Sequence, residues 1–96
     1  MLNDAKIGQA VLFPNVYGET YSTKYSYRYG NVMAGFVTDI EYIEARKLYL
    51  YTIGTINPMD NTKVVYRTLG EHRLYAINDY ENCFAEVKRL AQKVEN

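Results

Sequence analysis

Between Val32 and Tyr42 the residues alternate in character with a period of two, and this stretch limits the fold more than any other. Val32, Ala34, Phe36, Ile40 and Tyr42 fall with Thr38 on one side of an extended chain. Met33, Gly35, Val37, Asp39 and Glu41 fall on the other, which grows polar toward its end. Successive side chains leave a strand in opposite directions, so this period predicts a strand with one buried face. Glu44, Ala45 and Arg46 make a polar bridge into Leu48 to Ile53, where leucines face one way and tyrosines the other. The two segments are expected to pair as an antiparallel hairpin.

Shorter signals fill in the rest. Gln9 to Phe13 is apolar and suits a first strand, which Pro14 should end because proline has no N–H to give to a ladder. Residues 15–31 read as a long excursion, partly extended. Asn57-Pro58 and Asp60-Asn61 mark a loop, Val64 to Arg67 a fourth strand, Gly70 a break, and Leu74 to Ile77 a last short extended piece. A helix is expected next, with Asn78 as its cap and Glu81 completing a capping box. Tyr80, Phe84, Val87, Ala91 and Val94 recur at helical spacing beside Cys83 and Leu90, so that face should dock on the sheet. These elements make a mainly β, α+β chain. We expect a single domain over 1–96, with an antiparallel barrel of about five strands over roughly 7–77 and a C-terminal α-helix over roughly 79–94.

Composition narrows the function. Eleven of the 96 residues are tyrosine and none is tryptophan, and five tyrosines, Tyr17, Tyr21, Tyr25, Tyr27 and Tyr29, crowd the segment between the first two apolar runs. A tyrosine pairs a wide apolar ring with a hydrogen-bonding tip and loses little rotamer entropy when held, which suits a surface that grips a partner. The same rings could equally serve as cover for the open end of a small barrel. As a binding surface, the cluster would be joined by Tyr49, Tyr51 and Tyr66 on the outward face of the sheet and rimmed by Lys24 and Arg28. Eleven basic side chains balance eleven acidic ones, which removes the broad attraction to phosphate that drives nucleic-acid binding. Single-stranded nucleic acid is the alternative, with Tyr25, Tyr27 and Tyr29 stacking bases while Lys24, Arg28, Lys63, Arg67 and Arg73 hold phosphates. Self-association through the helix face or an edge strand would make a homodimer.

Chemistry is thinly supplied. His72 is the only histidine and sits in a polar bend, and Cys83 is the only cysteine, on an apolar helix face that should raise its pKa rather than activate it. One histidine and one cysteine cannot build a structural zinc site within one chain, and the six glycines are scattered singly rather than gathered in a phosphate loop. We therefore expect no enzyme, no catalytic residue, no metal and no cofactor. The lone cysteine suits a reducing compartment, and there is no secretory start and no apolar run long enough to cross a bilayer. A cytoplasmic protein away from membranes is expected.

Four stretches carry a resemblance: IGQAVLF as the first strand, AGFVTDIEY as the second, VVYRTLGEHRLYAI before the helix, and the closing NDYENCFAEVKRLAQK. In that order they resemble the small SH3-like β-barrel proteins found as accessory proteins in phages and other mobile elements of Gram-positive bacteria. The resemblance implies an SH3-like barrel and a non-enzymatic phage accessory protein that binds or inhibits a host protein. None of the stretches carries a functional residue over. The chain also lacks the groove tryptophan and the ALYDY-type opening of peptide-binding SH3 domains, which argues against recognition of proline-rich peptides.

Overall fold

The computed structural model describes residues 2, 4–22, 25–57 and 59–91, with the side chains of 17–29 and 91 outside that description. Four strands, β1 (Ala10–Ser22), β2 (Tyr25–Ile43), β3 (Leu48–Asn57) and β4 (Asp60–Gly70), form one antiparallel meander in the order β1-β2-β3-β4. A 3-10 turn (Glu71–Arg73) and a helix, α1 (Tyr80–Ala91), follow among the described residues.

The expected β2–β3 hairpin forms, joined by the turn at residues 44–47 with Lys47 in the left-handed region (φ 52°). Pro14 does not end β1, whose backbone pairs with β2 from Ala10 to Ser22. The reason lies in which edge needs the proton. Leu12 N–H and C=O both bond Tyr75, at 2.8 Å each, so they point away from β2. Two residues on, Pro14 presents its missing N–H to that same outer edge, where the ladder with β2 loses nothing.

Only the Phe36–Ile43 part of β2 also pairs with β3. Beyond it, β1 and β2 run on as a two-stranded arm that takes up the 15–31 excursion.

The regular alternation expected from Val32 to Tyr42 is interrupted. A bulge between Val37 and Asp39 inserts an extra residue, and the Thr38 hydroxyl there donates to Thr52 C=O at 3.2 Å. An odd insertion reverses face parity. Val32, Ala34 and Phe36 therefore lie on one face, while Ile40 and Tyr42 join Met33, Gly35 and Val37 on the other. Gly35 permits close packing on that second face, since a Cβ there would meet Ile53 Cγ2 at 2.6 Å and Gly54 O at 2.7 Å.

That second face holds the main core. Val11, Phe13, Val37, Tyr51, Ile53, Leu74 and Ala5 are buried together, with Leu2, Met33, Ile40 and Leu69 packed around them. The segment before β1 seals one end, with Leu2 N–H on Leu74 C=O (2.8 Å) and Gly8 N–H on Val37 C=O (2.7 Å).

The expected fifth strand, Leu74 to Ile77, is reduced to the single bridge Leu12↔Tyr75. The sheet has four strands and does not close into a barrel. One residue of pairing is all this segment has, because the chain turns at residues 77–78 into the helix.

The helix starts one residue later than expected. Asp79, not Asn78, precedes its first residue, and the Asp79 carboxylate accepts from the Asn82 side-chain amide at 2.7 Å. Its buried stripe is also rotated. Cys83 and Val87 are buried and Leu90 is half-buried, whereas Tyr80 and Phe84 face solvent, Phe84 at 41% exposure. The two rings stack on each other instead, centroids 5.9 Å apart, with Lys88 Nζ 4.9 Å above Phe84. The small sulfur side chain of Cys83 packs against Leu12, Tyr75 and Val32. Val94 and residues 92–94 of the expected helix lie outside the described residues.

Candidate interaction surface

The face of the sheet opposite the main core carries a group of exposed apolar residues. In register, Ala10, Phe36, Gly54 and Tyr66 make one row across all four strands, with Val64 and Ile56 as the neighbouring pair. The helix lies on the β1–β2 half of this face, where Cys83 packs on Leu12, Tyr75 and Val32. The helix packs on β1 and β2, so among the described residues the half toward β4 stays bare. Phe36 and Val64 are exposed there, and Ile56 and Tyr66 more so, each at 61%.

Gly54 shapes that bare half. A Cβ on it would stand 3.1 Å from Phe36 Cζ and 3.2 Å from Val64 Cγ1, so the missing side chain lets Phe36 and Val64 approach over the strand. Beside them lies an open depression of about 310 Å³, lined by Ala10, Ala34, Phe36, Gly54 and Ile56 among others. Exposed apolar residues gathered round a concavity are the usual anatomy of a contact surface.

Tyr49, Tyr51 and Tyr66, expected together on the outward face of the sheet, are separated. Tyr51 is 3% exposed and belongs to the core, opposite Leu69 and beside Ile53, so it is corrected from a contact residue to a packing one. Burial raises the pKa of its hydroxyl. Tyr49 shares its face but sits past the end of the core, exposed and packed on Tyr42 with ring centroids 4.8 Å apart. Tyr66 alone is exposed on the opposite face, in the row with Phe36. The leucines of β3, not its tyrosines, point away from the main core, because Tyr51 alternates with Ile53 and Thr55 rather than with Leu50.

The backbones of Tyr17, Tyr21, Tyr25, Tyr27, Arg28 and Tyr29 lie in the two-stranded arm, with Tyr17 opposite Tyr29, Gly18 opposite Arg28 and Glu19 opposite Tyr27. Their side chains fall outside the described residues, and Lys24 lies outside them altogether. Phe36, Ile56 and Val64 are the contact candidates that the sequence reading missed. The available signal was Gly54, a bare position beside β-branched and aromatic neighbours in a strand otherwise rich in large side chains.

Of the cations proposed to hold phosphates, Arg67 lies opposite Ile53 on the core side and donates to Asn15 Oδ1, and Lys63 stands 3.8 Å from Asp60. Lys63 and Arg67 share one face of β4 while Tyr66 takes the other. The ring and the charges of this strand therefore point apart.

The reactive groups are quiet. Cys83 is fully buried, and burial pushes its thiol up to about 11, with Asp79 and Glu86 adding to the effect. His72 is exposed in the 3-10 turn. Among the described residues, no three His, Cys, Asp or Glu side chains converge as a metal would require, and no helix is long and apolar enough to cross a membrane.

Comparison of the chain with protein-family models, with curated proteins and with solved structures finds no match.

Proposed function

We propose that this chain is a non-enzymatic protein-interaction module that grips a protein partner through the bare half of its outer sheet face, with the tyrosine arm as a second contact. One observation carries the reading. Phe36, Ile56, Val64 and Tyr66 stand exposed on one sheet face, Phe36 and Ile56 lining a concavity there, on a chain with no net charge. Exposed rings and β-branched side chains supply binding energy by desolvation, and a neutral chain does not select a phosphate backbone.

An SH3-like kinship fits the order of elements. It is supported by the long arm between the first two strands, the 3-10 turn after β4 and the bridge that returns the chain to β1. On that kinship the protein would act in the cytoplasm as a phage or mobile-element accessory protein, and its partner would be a host protein to be bound or inhibited.

The test is affinity capture from a nuclease-treated bacterial lysate. The intact chain is compared with a Phe36→Ser/Tyr66→Ser variant and with one carrying Tyr25, Tyr27 and Tyr29 changed to Ser. A stoichiometric protein retained by the intact chain and lost with the first variant supports the reading. Equal capture by the intact chain and by both variants, each with an unchanged melting temperature, refutes it.

A further inference from the structure

The two sides of the sheet end differently. On the β1 side the outer edge is engaged by Tyr75, which takes both backbone groups of Leu12. On the other side β4 is the terminal strand, 11 residues long, and carries no strand partner on its outer edge among the described residues. All of residues 61–68 are exposed, including the run Val64, Val65 and Tyr66. A free edge of this length presents a row of N–H and C=O groups that only another extended backbone can satisfy in register, and natural sheets seldom leave one open.

We propose that β4 pairs antiparallel with β4 of a second copy of this chain, about a two-fold axis at Val64. Such a contact is isologous, so the strand must be complementary to itself. Charge selects the register. An axis at Lys63 would set two lysines opposite each other, and an axis at Val65 would set Lys63 opposite Arg67 of the second copy. An axis at Val64 sets Lys63 opposite Val65, Thr62 opposite Tyr66 and Asn61 opposite Arg67, with no like charges facing. Exposure prefers Val64 to Tyr66, because an axis at Val64 pairs residues 60–68 with themselves, all exposed but half-buried Asp60 at the end. One at Tyr66 would reach Leu69 and Gly70, which are half-buried where the chain turns into the 3-10 segment. With eleven charges of each sign, two copies do not repel each other as wholes.

Pairing this way joins the two sheets into one of eight strands and makes the two bare outer faces continuous across the axis. The dimer does not depend on the protein-partner reading. Loss of the dimer with capture intact removes only the dimer, and loss of capture with the dimer intact removes only that reading.

Sedimentation velocity on the full chain at tens of micromolar, together with oxidative cross-linking of variants that each carry one added cysteine, tests the register as well as the association. The axis places the two Cα atoms of residue 64 about 5 Å apart, within disulfide range, and those of residue 66 about 14 Å apart. A dimer in which Val64→Cys cross-links roughly tenfold faster than Tyr66→Cys is expected. Native Cys83 is buried and does not compete. A monomer at every concentration, or a dimer whose Val64→Cys thiols cross-link no faster than those of Tyr66→Cys, overturns the proposal.

Discussion

The guanidinium of Arg67 on β4 reaches across the core face of the sheet to the side-chain carbonyl of Asn15 on β1, 52 residues earlier in the chain. Asn15 is almost fully buried. The first and last strands of the meander are therefore tied by a charged donor on a buried acceptor, a stronger bond than a neutral pair makes. It links the two end strands of the open sheet, which among the described residues share no backbone pairing.

Breaking that tie should cost measurable stability. In a double-mutant cycle of Asn15→Ala and Arg67→Ala, read by urea denaturation, we expect a coupling of about 1–2 kcal/mol. Strict additivity of the two substitutions would show that the bond is not made in solution.

The helix should prove sensitive at Val87 and tolerant at Phe84. Val87→Ala opens a cavity against the sheet and is expected to cost on the order of 2 kcal/mol, whereas Phe84→Ala, losing a half-exposed ring, should cost about 1 kcal/mol. Denaturation midpoints of the two variants check the order, and a larger loss at Phe84 would reverse the assignment of the buried stripe.

Gly35→Ala and Gly70→Ala make a matched pair. The new methyl at Gly35 would press on Ile53 and the Gly54 carbonyl, and about 1–3 kcal/mol of stability should be lost. At Gly70 the nearest heavy atom is Leu48 Cδ1 at 3.7 Å, so the thermal midpoint should stay close to that of the unsubstituted chain.

Cys83 should make stability fall in alkali. The unfolded thiol ionises near its ordinary value of 9.0, while the folded one holds its proton to about 11. Between those values the unfolded state binds fewer protons, so stability is complete below pH 9 and declines as pH rises toward 11. The stability difference between the unsubstituted chain and Cys83→Ala should shift by roughly 2–3 kcal/mol against the cysteine over that window. A difference that does not change with pH would place the thiol in water.

Local patterns in the chain determined much of this architecture. The two-residue period of β2, the leucine–tyrosine alternation of β3, the break at Gly70 and the acidic start of the helix each depend on neighbours a few residues away, and each appears in the structure close to where it was read. What the tertiary structure alone decided is which face each pattern buries. The bulge at Thr38 reversed the parity of β2, so Ile40 and Tyr42 face the core side while Phe36 does not. Tyr51 lies inside because β3 turned Tyr51 and Ile53 toward Phe13 on β1 and Leu74 after the 3-10 turn. The helix buried Cys83 against Leu12 and Tyr75 and left Phe84 toward solvent. Pro14 kept its place in β1 because its N–H side met the outer edge rather than β2. The candidate surface has the same origin: Phe36, Ile56, Val64 and Tyr66 lie 20 or more residues from Phe36 to the next of them in sequence, and only the meander brings them together. Periodicity is a property of one strand, but exposure depends on register, twist and which strands the helix docks on.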